Sequence, residues 1–141
     1  MIILDSDHLS VLRYHHSERA LKLVVRLEQA REKPITTSIA NVEEAMRGWL
    51  SAIAKERRIE RQISAYRELG ELFTFFSGYT IALLDANAAH LFSGFRKSGV
   101  KIGTMDLKTA CIAVANNALL LTANRRDFEK VPGLRFENWL E

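Results

Sequence analysis

The chain has 141 residues and a mass of 16.0 kDa, which is enough for one compact domain, and we expect a single domain over 1–141. Hydrophobic residues make up 48% and charged residues 26%, which excludes disordered and fibrous proteins. No apolar stretch reaches the roughly 18–20 residues that span a membrane, and no signal peptide is recognisable. The single cysteine excludes a disulfide framework, so we expect a cytoplasmic protein. The net charge of +3 favours an anionic partner only weakly.

Short apolar or β-branched runs alternate with helical patterns along the chain. The predicted strands are residues 1–4, 35–39, 78–84 and 118–122, with a last short strand at 134–136. Helical spacing of apolar residues fills most of the intervals between them. Two long helices with a break near 57 or later are predicted to form an arm over about 42–76. Strands that alternate with helices predict an α/β sandwich with a parallel sheet.

Several acidic residues follow the predicted strands or open the predicted helices. Asp5 comes directly after the first strand, Glu44 about one helical turn after the second, and Asp106 begins a helix. Asn124 and Asp127 follow the fourth strand. Because loops at the carboxyl ends of parallel strands lie at one edge of the sheet, these residues can converge. Clustered carboxylates repel one another, and an all-oxygen ligand set favours Mg²⁺, or Mn²⁺, as the neutralising cation.

Each of these acids also has a local structural explanation. Asp5 can cap the helix that follows it, a glutamate near a helix start such as Glu44 can complement the helix dipole, and Asp106 is a suitable N-cap. Asn41 can likewise cap the helix after the second strand. Asp85 also lies between a strand and a helix, and capping accounts for it fully, so we expect it to be structural.

Three ordered motifs extend over essentially the whole chain. The first is Leu-Asp-Ser-Asp-His-Leu at 4–9, directly after the apolar start. The second has a serine at 38, Glu44 six residues later and Gly48 four residues further. The third comprises Ile-Gly-Thr-Met-Asp-Leu at 102–107, Leu-Thr-Ala-Asn-Arg-Arg-Asp-Phe at 121–128 and Val-Pro-Gly-Leu at 131–134, followed by Trp139. Together they resemble the PIN-domain family, specifically the VapC-type toxin ribonucleases of bacteria and archaea, in which a leucine is usual at the position of Ala45.

This resemblance implies a three-layer α/β/α sandwich with a central, mainly parallel sheet and a protruding helical pair. It also implies a magnesium-dependent endoribonuclease, the toxin of a toxin–antitoxin pair, that hydrolyses structured RNA such as tRNA. The implied catalytic residues are Asp5, Glu44, Asp106 and Asp127, of which Asp5, Glu44 and Asp106 would be the metal ligands. Asn124 stands where some family members have aspartate and is expected to support the site, as are Ser6 and Thr104.

Substrate and partner surfaces are also implied. RNA that approaches an acidic pocket requires nearby positive charge, and the candidate RNA-binding residues are Lys101, Lys108, Arg125, Arg126 and Arg47. The resemblance further implies a homodimer and a cognate antitoxin protein that blocks the acidic pocket. The helical pair, from Val42 to about Leu69, would be the docking surface for this antitoxin.

Two alternatives stay open at this stage. The asparagine at 124 is compatible with a catalytically weak or inactive PIN domain that binds RNA or a partner without cleaving it. The sequence Asp-Ser-Asp at 5–7 also matches the opening of haloacid-dehalogenase-like phosphotransferases, in which the first aspartate is a nucleophile and the second an acid. Those enzymes require a late pair of acids on the same magnesium, whereas Asp106 has no acidic neighbour in the sequence.

Overall fold

A five-stranded parallel sheet forms the centre of the computed structural model, which describes residues 1–14 and 16–141. The strand order within this part of the chain is β3-β2-β1-β4-β5, and all four neighbouring pairs are parallel. The strands are β1 (Ile2–Leu4), β2 (Ile35–Ser38), β3 (Thr80–Ala82), β4 (Leu119–Leu121) and β5 (Arg135–Glu137). Because β1 lies at the centre, the loop that follows it is flanked by the loops after β2 and β4.

Seven α-helices accompany the sheet in the described residues. They are α1 (Ser6–Tyr14), α2 (Glu18–Gln29), α3 (Ile39–Lys55), α4 (Ile63–Phe76), α5 (Ala86–Lys97), α6 (Thr104–Ala115) and α7 (Arg125–Phe128). A short 3₁₀ helix, Ile59–Gln62, lies between α3 and α4. Among all these described segments, none combines the length and apolar character that a membrane-crossing helix requires.

The two faces of the sheet are covered by separate apolar cores, which gives the expected three layers. Ile3 and Leu120 pack on one face, with residues of α5 and α6 such as Ala88 and Leu107. Alternate strand residues, such as Leu4 and Leu121, pack on the other face with residues of α1, α2 and α4. Burial on both faces explains why β1 and β4 are apolar at every position.

The expected helical pair consists of α3 and α4, which pack against each other. The chain breaks between them after Lys55, close to the predicted position near 57. The Gln62 side chain stabilises this break, because its amide donates hydrogen bonds to the carbonyl oxygens of Ile53 (3.1 Å) and Glu56 (2.7 Å). These two carbonyls lie at the end of α3, where no further helical turn can satisfy them.

Two predicted helix caps differ from the structure. Ser38, not Asn41, caps α3: the Ser38 hydroxyl accepts a hydrogen bond from the Asn41 N–H, so Asn41 lies inside the first turn. Helix α6 starts at Thr104 after Gly103, so Asp106 is its third residue rather than its N-cap. The prediction for Asp85 is confirmed, because its carboxylate accepts a hydrogen bond from the Ala88 N–H at 2.9 Å and caps α5.

The edge strands differ most from the predicted bounds. Strand β3 is shorter than the predicted 78–84, since Leu83 and Leu84 lie beyond its end and are exposed. Strand β5 begins and ends one residue later than the predicted 134–136. An edge strand has a neighbour on one side only, so apolar character marks its limits less clearly than in β1 and β4.

Candidate active site

Acidic side chains from four remote segments act on one another at the carboxyl edge of the sheet. The pKa of Asp106 on α6 is raised to about 6, with burial as the largest cause. The further causes are the negative charges of Asp5, Glu44, Asp127 and Asp7. The four residues proposed as catalytic from the sequence therefore belong to one electrostatic neighbourhood.

Asp5 is buried directly after β1, with 7% of its surface exposed. Its Oδ1 accepts a hydrogen bond from the Asn41 amide at 2.8 Å, and its Oδ2 accepts one from the Thr122 hydroxyl at 2.8 Å. Burial raises the pKa of Asp5, and these donors act against that rise because they favour the ionised carboxylate. The two donors come from α3 and from the loop after β4, so the position of Asp5 depends on three segments of the chain.

Glu44 lies on α3 and is exposed to solvent at the site. Its Oε1 accepts a hydrogen bond from the Ser6 hydroxyl at 3.0 Å. The same hydroxyl accepts a hydrogen bond from the Asn41 amide at 3.2 Å. Ser6 therefore connects Glu44 to the residue that also binds Asp5. Thr104, the other expected supporting hydroxyl, is exposed at the start of α6.

Asn124 and Asp127 form a local pair in the loop and short helix after β4. Asn124 caps α7, and its Oδ1 accepts a hydrogen bond from the Asp127 N–H at 3.4 Å. The Asn124 amide also donates to Asp127 Oδ2 at 3.1 Å, and Lys130 Nζ lies 3.7 Å from Asp127 Oδ1. Asn124 thus orients the carboxylate of Asp127, which is the acid that this segment brings to the site.

Sequence reasoning missed the role of Asp7 and His8 beside the site. His8 is fully buried, with its Nδ1 2.6 Å from Asp7 Oδ1, while its Nε2 accepts the Trp139 N–H at 3.1 Å. The Ala123 N–H donates to Asp7 Oδ2 at 2.8 Å. Burial acts to raise the pKa of Asp7, but the hydrogen bonds from His8 and Ala123 outweigh it, so the pKa is lowered.

The two residues link α1 to the loop after β4 and to the C-terminal segment. A carboxylate with a lowered pKa is a poor proton donor, which is unlike the second aspartate of a dehalogenase-like phosphotransferase. In the sequence, the one indication of the role of Asp7 and His8 is a histidine next to an acid on the apolar face of a helix. Its partners lie 116 and 131 residues away in the sequence, so spacing alone does not reveal them.

The candidate RNA-binding residues fall into two groups. Arg47 and Lys108 both pair with Glu43, which precedes Glu44 on α3, and Lys108 Nζ lies 3.7 Å from Glu43 Oε1. These two cations are therefore held next to the acidic site. The other three, Lys101, Arg125 and Arg126, are exposed at the surface.

The donor chemistry of the acidic site fits a hard divalent cation. Its candidate ligands are carboxylate oxygens, which Mg²⁺ and Mn²⁺ prefer, and the free cysteine of the chain is buried in the core. Within residues 1–14 and 16–141, however, no three His, Cys, Asp or Glu side chains form a group that could hold a metal ion as they stand. Hydrogen bonds to Asn41, Thr122 and Ser6 hold Asp5 and Glu44 instead.

A groove of about 280 Å³ opens beside the acidic site. Ser6, Asn41 and Glu44 form the end of the groove that adjoins the acids. Its remaining walls come from α1, α3 and α4, and are mainly apolar: Leu9, Ser10, Arg13, Tyr14, Ala45, Gly48, Trp49, Leu72, Phe75 and Phe76. The Arg13 guanidinium is paired with Glu68 on α4 at 2.9 Å. The groove therefore joins an apolar surface to a negatively charged end.

Comparisons with known proteins point to one group. The chain is 44% identical over 43 residues to ribonuclease VapC2 of Rickettsia felis, and this match covers 30% of the chain and 32% of the relative. It is 27% identical over 84 residues to the tRNA(fMet)-specific endonuclease VapC of Salmonella typhimurium, covering 57% of the chain and 64% of the relative. The matches thus span about one third and just under two thirds of these curated relatives. No protein-family model matches the chain.

The fold comparison extends over the whole chain. The crystal structure of VapBC2 from Rickettsia felis bound to a promoter DNA fragment matches with a TM-score of 0.68 and 25% identity, and covers 99% of both chains. The structure has the central parallel sheet and flanking helices that the sequence motifs at 4–9, 38–48 and 102–128 imply. The acids at the carboxyl edge of the sheet come from these motifs. In its fold and in the sequence motifs of its acidic site, the chain is similar to VapC-type proteins of the PIN-domain family.

Proposed function

We propose that this protein is a divalent-metal-dependent endoribonuclease and the toxin of a toxin–antitoxin pair. The observation that carries the proposal is the raised pKa of Asp106, because it reports four further carboxylates from remote segments around one side chain. Repulsion among these carboxylates does not stabilise the fold, whereas a site that binds a cation requires such a cluster of negative charge. The names of the VapC relatives support the same activity.

Each acidic residue would have a separate role at this site. Asp5 and Asp106 would hold a magnesium ion, Glu44 would share it or hold the attacking water, and Asp127 would complete the acidic surround. When bound, Mg²⁺ would make a water nucleophilic and stabilise the negative charge that grows on the phosphate. Asn41 and Thr122 orient Asp5 through their hydrogen bonds, and Ser6 orients Glu44. This orientation keeps both carboxylates at the pocket while no substrate is bound.

We propose structured RNA, such as tRNA, as the substrate. The Salmonella typhimurium relative is named as a tRNA(fMet)-specific endonuclease, which supports this class. The exposed side chains of Lys101, Arg125 and Arg126 would bind phosphates on either side of the acidic pocket. Arg47 and Lys108, held by Glu43, would bind phosphates nearer to Glu44 and Asp106. Such contacts position the RNA without reading its sequence.

We propose a cognate antitoxin and a second copy of the chain as protein partners. The Rickettsia felis structure is described as VapBC2 bound to promoter DNA, which supports a partner protein for this chain. The helical pair carries exposed apolar side chains on α3 and α4, including Leu50, Ile63 and Phe73. The groove beside Glu44 would accept apolar antitoxin residues, and a basic antitoxin side chain would meet the acids at its end.

The activity is tested by incubating total RNA with the purified wild type and with Asp106→Asn, each in Mg²⁺ and in excess EDTA. We expect cleavage by the wild type in Mg²⁺ only, and a loss of at least 100-fold in Asp106→Asn. Asp85→Asn is the matched control, because asparagine preserves the N-cap of α5 and the residue lies outside the acidic site. Equal cleavage by the wild type and Asp106→Asn would show that the activity does not arise at this site.

The alternative, a binding module without cleavage, has one specific observation in its favour. Asn124 stands where some members of the resembling family have aspartate, and its side chain is engaged in capping α7 and orienting Asp127. Wild-type protein that binds RNA in a gel-shift assay yet leaves it intact in Mg²⁺ and in Mn²⁺ would support this alternative. Replacing Asn124 by Asp tests the same point, because a gain of cleavage would assign the missing activity to the absent charge.

A further inference from the structure

Asn41 lies at the centre of a buried hydrogen-bond network that joins four elements of the fold. Its side chain is buried, with 4% of the residue exposed. The Asn41 amide nitrogen donates to Asp5 Oδ1 at 2.8 Å and to the Ser6 hydroxyl at 3.2 Å. Its carbonyl oxygen accepts from the Ser38 hydroxyl at 2.6 Å, with the Thr109 hydroxyl of α6 at 3.5 Å. The network therefore connects α1, the end of β2, α3 and α6, and it includes Asp5 directly after β1.

The partners of Asn41 determine the orientation of its amide. The Ser38 hydroxyl accepts the Asn41 backbone N–H at 3.1 Å, so its own proton is directed to the Asn41 carbonyl oxygen. The two protons of the amide nitrogen then face Asp5 and Ser6, and both are used. No other neutral side chain of this size offers two donors and one acceptor in this arrangement. Alanine would remove all three groups, and aspartate would replace the donors with a second negative charge.

Helical geometry places Asn41 where it acts on two carboxylates at once. Asn41 and Glu44 are three residues apart on α3 and so lie on the same side of that helix. Asn41 binds Asp5 directly and reaches Glu44 through Ser6, whose hydroxyl donates to Glu44 Oε1 at 3.0 Å. The two acids come from different segments, and Asn41 is the side chain that connects them.

We propose that Asn41 is a positioning residue, which holds Asp5 and, through Ser6, Glu44 in the relative placement that a divalent cation requires. The inference rests on the proposed function, since it concerns the acids assigned to the cation there. Asn41 itself is not a ligand, because its carbonyl oxygen is occupied by Ser38 and its nitrogen carries only donors. Residues that orient ligands in this way affect metal affinity or activity by about 10–100-fold when they are removed.

The test measures Mn²⁺ binding by electron paramagnetic resonance of the free ion, beside steady-state RNA cleavage. The variants are Asn41→Ala and Asn41→Asp, and Asn41→Ser, which keeps one donor. We expect Asn41→Ala and Asn41→Asp to raise the Kd for Mn²⁺, or to lower kcat, by about tenfold or more with little change in KM for RNA. Asn41→Ser should recover part of the loss. The control is Leu23→Ala on α2, a buried residue outside this network, which should lower stability without changing Mn²⁺ affinity.

The possible results separate this inference from the proposed function. Wild-type Mn²⁺ affinity and kcat in folded Asn41→Ala or Asn41→Asp would overturn the role of Asn41. An equal loss of Mn²⁺ affinity in Leu23→Ala would also overturn it, because the effect would then follow from stability alone. A wild type that binds Mn²⁺ without cleaving RNA would contradict the proposed activity, while the affinities of the variants would still test Asn41. If Asn41→Ala does not fold, Asn41→Asp and Asn41→Ser carry the comparison.

Discussion

Asp106 is the residue at which folding and the proposed chemistry conflict. Burial and the surrounding acids raise its pKa to about 6 in the folded protein, from an ordinary value of 3.8. The folded state therefore binds this proton more tightly than the unfolded chain does. As the pH rises through the window between these two values, the stability contributed by the protonated group is lost. Above pH 6 the ionised carboxylate destabilises the fold unless a cation neutralises it.

We predict that Asp106→Asn stabilises the protein at pH 7.5 in EDTA. The expected gain in the free energy of unfolding is about 1 kcal/mol, since water still reaches the half-buried carboxylate and screens the repulsion. This corresponds to a rise in Tm of about 3–5 °C for a chain of this size. At pH 3.5, where the aspartate is protonated, the gain should disappear. Thermal denaturation followed by circular dichroism at both pH values measures it.

Asp85→Asn is again the control, and its Tm should match that of the wild type at both pH values. A Tm of Asp106→Asn that stays at or below the wild-type value at pH 7.5 would contradict repulsion at this site.

Individual site residues could be predicted from the sequence only where spacing and topology select them. Asp5, Glu44 and Asp106 follow from the motifs and from a parallel sheet, and the structure brings them into one acidic neighbourhood. For Asn41 the sequence predicts only a capping role, because its burial and its contact with Asp5 depend on how α3 packs against α6 and the loop after β1. Asp7 and His8 were missed for the same reason, since tertiary contacts at long sequence separation define them.

At the level of elements, buried strands were predicted more accurately than edge strands. Strands β1 and β4 are apolar throughout because both of their faces are covered. Strand β5 is partly exposed. Its residues contact the rest of the protein through polar side chains, which leave no periodic hydrophobic pattern in the sequence. One example is Arg135, which pairs with Glu32 at 2.8 Å and donates to the Asn117 carbonyl oxygen at 2.7 Å.

Helix α1 is connected to the C-terminal segment through His8. We predict that His8→Ala releases the backbone around Trp139, because the Trp139 N–H loses its acceptor and the buried position becomes a cavity. Hydrogen–deuterium exchange should show faster exchange at 138–141, with little change in β1. His90→Ala on the exposed face of α5 is the matched control and should leave exchange in this segment unchanged. Unaltered protection of the Trp139 amide in His8→Ala would contradict the link.

At the level of the whole molecule, charge and apolar surface are separated in a way that net charge does not reveal. The chain carries a net charge of +3, yet five of its 17 acidic side chains gather at one edge of the sheet: Asp5, Asp7, Glu44, Asp106 and Asp127. The exposed apolar residues lie mainly on helices, including Leu21 and Val25 on α2, and Ile63 and Phe73 on α4. Composition predicted neither feature, because both depend on which helix faces remain uncovered after the two cores have formed.

The central claim, that acids from remote segments form one cation-dependent site, is tested most directly by the effect of Mg²⁺ on thermal stability. Because the site exists only in the folded state, Mg²⁺ at ten times its Kd should stabilise the wild type by about 1.4 kcal/mol, or raise Tm by about 4–7 °C. Asp5→Asn and Asp106→Asn should lose most of this rise, and Asp85→Asn should retain it. The same rise in Asp106→Asn as in the wild type, or no rise in the wild type across a Mg²⁺ titration at constant ionic strength, would contradict the account.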